Sequence, residues 1–331
     1  MVSRYSLNCV IARSDQRERR HLHLRQVQVS NLLFVLLILI AYGCNPASPS
    51  PTPASVTPTT QPTDAPTAAP DYVSQIRNAE YQLGLPDSLR IVQLADGKFE
   101  EGAPGGADFV SVTVTDFVAR GDLNDDGVDE VVAMIAENYG GTGVFVFLAV
   151  YADVNGELVY QTSSLIDDRP MLNALSIENG EIFLDAVTHG SEDPFCCPTL
   201  KTGRHFRFTE ISQLDMTDYT TFIPDQRPRT ITIESPVNGT EVFSSVQIKG
   251  NVAIAPFENN LVYRIYDVGG VELSAGAITV TAADLGAPGT FDATILLGNI
   301  LSGAVIRVEV QDISAADGSL FAMDSVELVV K

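Results

Sequence analysis

From residue 71 onward, apolar residues recur mostly at every second position, the spacing of half-buried strands. One stretch departs from this. Tyr72, Ile76, Ala79 and Leu83 repeat at helical spacing and Pro86 closes the run, which predicts a short helix over residues 71–88. Phe109-Val-Ser-Val-Thr-Val-Thr-Asp-Phe117 then alternates as a strand with one buried face does. Val131-Val-Ala-Met-Ile135 and Val144-Phe-Val-Phe-Leu-Ala-Val-Tyr151 are apolar on both faces, as central strands are. Asn155-Gly156 predicts a hairpin turn into Glu157-Leu-Val-Tyr160, and Asn179-Gly180 a second between Leu175–Ile177 and Glu181–Asp185. His205-Phe-Arg-Phe208 closes the set. The pattern reads as an α+β antiparallel-sheet domain over residues 71–222, with one or two helices.

Residues 223–229, rich in Pro and Arg, read as a connector. Beyond them short strands recur with turn signals between: Thr230–Ile233, Val246–Lys249, Leu261–Tyr266, Phe291–Ile295, Val305–Val310 and Val326–Val330. In the fifth, Ile306, Val308 and Val310 face one way and Arg307, Glu309 and Gln311 the other. About seven strands and no helix in roughly 100 residues predict an immunoglobulin-like β-sandwich over 229–331. The Cys…Trp…Cys core of antibody domains is missing, and the chain has no tryptophan. Ile231-Thr-Ile-Glu-Ser-Pro-Val-Asn-Gly239, Val246-Gln-Ile-Lys-Gly250, Ile265-Tyr-Asp267, Gly289-Thr-Phe291 and Asp317-Gly318 resemble the immunoglobulin-like domain of bacterial spore-germination proteins. That resemblance implies an extracytoplasmic accessory domain, because the family also occurs on lipoproteins of non-sporulating bacteria. The fold class expected is mainly β: an α+β antiparallel-sheet domain, then an immunoglobulin-like β-sandwich.

The first 70 residues follow different rules. Asn31-Leu-Leu-Phe-Val-Leu-Leu-Ile-Leu-Ile-Ala-Tyr-Gly43 is short for a bilayer span, which takes ~20 apolar residues. Arg4, Arg13, Arg17, Arg19, Arg20 and Arg25 precede it, the arrangement of a secretory signal. Ala41-Tyr42-Gly43-Cys44 resembles the lipobox of bacterial lipoproteins, although Leu is usual where Ala41 stands and Tyr42 is bulky for its slot. The resemblance implies cleavage after residue 43 and a diacylglyceryl chain on the Cys44 thiol, hence a membrane partner through the lipid. An uncleaved anchor helix and a freely secreted chain are the alternatives. Residues 44–70, with eight prolines and no apolar run, favour an extended polyproline II stalk. The expected division is a signal peptide over 1–43, a lipidated linker over 44–70, and the two domains.

Charge narrows the partners. The chain has 20 Lys and Arg against 42 Asp and Glu. Removing residues 1–43, with six Arg, Asp15 and Glu18, leaves 14 basic and 40 acidic residues, a formal charge of −26. Such a surface repels phosphate backbones, so nucleic acid is excluded as an expected partner. After cleavage only Cys44, Cys196 and Cys197 remain, which rules out a disulfide-dense scaffold.

One stretch carries a clear chemistry. Asp122-Leu-Asn-Asp-Asp-Gly-Val-Asp-Glu130 offers oxygens at alternate positions, namely Asp122, Asn124, Asp126, the Val128 carbonyl and Glu130. Gly127 supplies the sharp turn; Asp125 and Asp129 are expected outside. An EF-hand needs a bidentate Glu at position twelve, where Ala133 stands. The spacing instead resembles the nine-residue calcium loop of FG-GAP (integrin-α-type) repeats, which implies a structural Ca²⁺. A single copy does not imply a propeller, and an acidic turn without an ion is the alternative. Thr188-His-Gly-Ser-Glu-Asp-Pro-Phe-Cys-Cys-Pro198 is similar to a segment of bacterial lipoproteins without assigned activity. A vicinal Cys196–Cys197 disulfide is strained, yet an oxidising compartment leaves these thiols few other partners. Free thiols, and metal binding with His189, are the other readings.

No Gly-x-Ser-x-Gly elbow occurs, and the only histidines after residue 43 are His189 and His205. No catalytic residue is assigned. The function expected is a non-enzymatic, surface-displayed lipoprotein with calcium-stabilised binding, adhesion or envelope-accessory roles toward an extracellular protein or glycan. The alternative is an envelope hydrolase or thiol-redox protein using His189, Cys196 and Cys197.

Overall fold

Alternation along the chain becomes sheet in a computed structural model that describes residues 71–84 and 90–331. The expected signal peptide, Cys44 and the linker lie outside the described residues. The described part is nearly all β. Its only α-helix, α1 (Tyr72–Ile76), is capped by the Asp71 carboxylate, which accepts from the Ser74 N–H at 3.2 Å. The helix expected over 71–88 is therefore corrected to five residues. Ala79, Tyr81 and Leu83 also alternate, and all three are buried, so the chain continues as strand β1 (Glu80–Gln82) paired with β2 (Ile91–Gln93). With so little helix, α+β fits the first half only loosely.

A five-stranded antiparallel sheet forms the centre of this half: β3 (Lys98–Glu101), β4 (Val110–Gly121), β5 (Glu130–Asn138), β6 (Phe145–Val154) and β7 (Glu157–Asp168), in that order. Side chains of β5 point alternately to its two faces, and both faces are covered. Val131, Ala133 and Ile135 pack with Ile76, Tyr81, Leu83, Val92 and Leu94 from α1 and the β1–β2 hairpin. Val132 and Met134 pack the other way, against Ile182, Leu184, Phe206 and Phe208. Those residues belong to the next sheet, β8 (Met171–Glu178), β9 (Glu181–Thr188), β10 (Leu200–Phe208) and β11 (Leu214–Phe222). The β6–β7 and β8–β9 turns carry the expected Asn-Gly pairs, with positive φ at Asn155, Gly156, Asn179 and Gly180.

The connector is a tight turn: β12 (Pro228–Arg229) folds back on β11. The second half is the immunoglobulin-like sandwich. One layer holds β13 (Ile231–Ser235), β15 (Ser245–Val252), β18 (Gly289–Leu296) and the end of β17 (Glu272–Ala282). The start of β17 pairs with β16 (Asn260–Asp267) in the other layer, beside β19 (Val305–Ile313), β20 (Leu320–Val330) and the short parallel strand β14 (Thr240–Val242). Ile248, Ile278, Phe291, Ile306, Val308 and Leu328 form its core.

The halves share a sheet. β11 pairs with β20 antiparallel, setting Asp218 opposite Asp324, Tyr219 opposite Met323 and Thr220 opposite Ala322. One ladder thus runs from β8 through β11 into β20, β19 and β16, and the described residues form one compact unit.

Candidate functional site

The acidic loop joins β4 to β5 and is pinned at both ends. Leu123, 4% exposed, enters the core between the two sheets of the first half, and Glu130 begins the buried strand β5. Between them the loop folds on its own side chains. Asp122 accepts from the N–H groups of Asn124 (3.2 Å) and Gly127 (2.9 Å), Asn124 from that of Asp126 (3.0 Å), and Asp126 from that of Val128 (2.7 Å). Gly127 has φ +83°, a left-handed conformation that a residue with Cβ adopts only under strain.

Glu130 is 2% exposed. Its carboxylate accepts from the Leu123 N–H at 2.9 Å and the Asn124 amide at 3.1 Å. Burial, then the charges of Asp126 and Asp122, push its carboxyl above the usual range, although the Leu123 N–H opposes them. At Asp122 partial desolvation acts upward too, but the N–H groups of Gly127 and Asn124 outweigh it and hold that carboxyl low. Asp125 is exposed, as are Asn124 and Asp126, and Asp129 pairs with Arg120 at 3.1 Å. The donors are hard oxygens in the right order for a calcium-type ion. They are engaged with the loop itself, however, and among the described residues no three Asp, Glu, His or Cys side chains are gathered to hold a metal.

The Cys-Cys loop projects between β9 and β10. Its organiser is Asp193, whose carboxylate accepts from the N–H groups of Gly190 (2.8 Å) and Thr199 (2.7 Å) and from the Thr199 hydroxyl (2.7 Å). The Gly190 N–H first, then the Thr199 hydroxyl, keep that carboxyl below the usual range. Cys196 and Cys197 sit at the exposed tip as a vicinal disulfide with Cα atoms 3.8 Å apart, inside a turn closed by the Cys197 N–H on the Pro194 carbonyl. His189 stays at the base. Its N–H donates to Asp167 Oδ2 at 2.6 Å, its Nδ1 lies 3.0 Å from the same oxygen, and its Nε2 is buried without a partner among the described residues.

Sequence reasoning missed where the acidic loop looks. Leu123, Asn124 and Asp125 form one wall of a cleft of about 450 Å³; Thr209, Glu210 and Ile211 of the β10–β11 turn, with Val268 and Val305 of the second half, form others. Arg207, Asp215 and Glu327 lie in the same cleft and belong to a charge network across the seam. Arg207 meets Glu327 at 2.7 Å, Arg307 meets Asp215 at 3.7 Å and Glu309 at 3.0 Å, and the Gln311 amide donates to Glu309 at 2.5 Å. The polar face of β19 therefore meets the first half, and Glu309 and Gln311 are buried. The charge alternation of β19 was the available signal; its partner lies about 90 residues away in sequence and no local pattern names it.

Residues 230–319 match the immunoglobulin-like domain of bacterial spore germination, within the span expected for the second half. The second half is thus an immunoglobulin-like domain of the kind associated with bacterial germination proteins. No curated protein matches the chain. Among the described residues no helix is long and apolar enough to cross a membrane.

Proposed function

We propose that this chain is a non-enzymatic, surface-displayed bacterial lipoprotein. Cys44 carries the lipid, residues 44–70 form the stalk, and the two halves make one binding or adhesion module for an extracellular protein or glycan. Ca²⁺ at Asp122, Asn124, Asp126, Val128 and Glu130 stiffens the β4–β5 turn. The observation carrying this reading is the cleft that the acidic loop shares with Val268 and Val305 of the immunoglobulin-like half. A cation that fixes the loop also fixes a wall of that cleft, so ligand affinity should follow calcium.

The test is capture from the producing bacterium's envelope on the immobilised mature chain, with Ca²⁺ and with chelator. The expected result is a retained protein or glycan that is lost with chelator and with Ile211→Arg/Val268→Arg in the cleft wall. Retention indifferent to both, or no retention, overturns the reading.

The Asp167–His189 contact favours one alternative, a hydrolase or thiol-redox protein using His189, Cys196 and Cys197. In a histidine held by a carboxylate at Nδ1, Nε2 is left to move a proton. Hydrolysis of an envelope substrate that disappears in His189→Gln would establish it.

A further inference from the structure

We infer that the seam between the two halves is a proton-controlled clasp: a proton held on the Asp218–Asp324 pair keeps the β11–β20 ladder closed, and its release loosens the ladder. Three residue pairs make this ladder, and the first sets the two aspartates directly opposite one another. Like charges so placed in a sheet repel. The pair lines a cavity of about 240 Å³ with Glu181 of β9 and His205 of β10.

The arginines nearby are committed elsewhere. Arg207 of β10 is taken by Glu327 of β20, and Arg307 of β19 by Glu309 and Asp215. His205 packs its ring on Phe183, centroids 5.2 Å apart. Among the described residues neither Asp218 nor Asp324 is in an ion pair. Their hydrogen bonds differ in a way that places the proton. Asp324 accepts two backbone N–H bonds, from Ile233 at 2.6 Å and Ser325 at 2.7 Å, which favour its anion. Among the described residues Asp218 has only the Thr220 hydroxyl, at 3.5 Å.

Asp218 is accordingly the group that keeps the proton. Burial first, then the charges of Asp324 and Glu181, push its carboxyl up to about 7. Burial also raises Asp324, against those two N–H bonds. The sign follows from linkage: the closed seam binds the proton more tightly than an opened, hydrated one, so the opening constant rises with pH through this window and levels off above it. His205 lines the same cavity and needs its own control.

The experiment measures amide hydrogen exchange in β11 and β20 of the full mature chain at pH 6 and pH 8, corrected for intrinsic exchange chemistry. With carboxyl values of 3.8 in the opened seam and about 7 in the closed one, opening should increase about tenfold between the two pH values. Asp218→Asn should abolish the increase; Asp324→Asn, which serves if the first variant folds poorly, removes the facing charge but not the burial and should reduce the increase without abolishing it. His205→Gln should retain it. No increase in the wild type, an increase that survives in Asp218→Asn, or one lost only in His205→Gln overturns the clasp.

Discussion

Replacing Glu130 by Gln should change stability in opposite directions with and without calcium. Without an ion, the buried Glu130 carboxylate stands in the field of Asp122 and Asp126, and among the described residues it has no ion-pair partner. A glutamine at this position would remove one charge from that field and still offer an oxygen to the Leu123 N–H. The variant should therefore melt above the wild type in chelator. In calcium the order should reverse, because Glu130 is the last ligand of the proposed site.

The magnitude comes from mass action. With a Kd of ~10⁻⁴–10⁻³ M, usual for extracellular loops, 2 mM Ca²⁺ adds ~0.7–1.8 kcal/mol to the folded wild type. For a unit of this size that is roughly 1–7 °C in Tm. Scanning calorimetry at constant ionic strength, in chelator, Ca²⁺ and Mg²⁺, reads all the arms. A wild type unmoved by Ca²⁺, or a Glu130→Gln variant that responds as the wild type does, would refute the calcium site. An equal response to Mg²⁺ would reduce it to screening of an acidic surface.

Three further outcomes are expected. Cys44→Ser should leave an unprocessed precursor or release the chain from the membrane fraction, since stable anchoring needs two acyl chains; unchanged processing and retention would remove the lipoprotein assignment. Intact mass without reductant should fall two hydrogens short of the free-thiol value, and Cys196→Ser/Cys197→Ser should cost under ~1 kcal/mol because the ring contains no intervening residue; thiols that titrate fully would exclude the bond. Tyr81→Phe removes a buried hydroxyl that donates to the fully buried Glu137 at 2.5 Å, and should lower unfolding free energy by ~1.5–3 kcal/mol in denaturant titration; a loss under ~0.5 kcal/mol would deny Glu137 its role in fastening the β1–β2 hairpin to β5.

What was legible in the chain was local. Asn155-Gly156 and Asn179-Gly180 announce their turns because the primed turn needs positive φ at both residues. Val131 to Ile135 read as a central strand because both faces are apolar. The helix expected over 71–88 stops at Ile76 because Ala79 and Leu83 satisfy a period near 3.6 while Ala79, Tyr81 and Leu83 satisfy a period of 2; the open face of the five-stranded sheet decides between them. β11 was missed for a different reason. Asp215 and Asp218 break its apolar alternation, and its neighbour β20 lies about 100 residues onward. In the acidic loop the ligand order was readable, whereas the cleft it faces depends on Val268 and Val305, which only the shared sheet brings near.

The seam is polar where an apolar contact of the same size would hold more firmly. Buried charge pairs add little net stability, but breaking one partner away costs several kcal/mol, so they favour one arrangement over its neighbours. Here each bond across the seam ties to the register of β11 on β20. The Thr221 hydroxyl donates to the Phe321 carbonyl at 2.7 Å, the Ser325 hydroxyl to the Thr217 carbonyl at 2.9 Å, and Arg307 to the Met216 carbonyl at 3.0 Å. A one-residue slip would lose all three and turn Asp218 to the opposite face of the sheet. The same register sets Val268 and Val305 opposite the acidic loop. A junction fixed in register by polar bonds, with two facing aspartates at one end, is specific in where it closes and weak enough for one proton to matter.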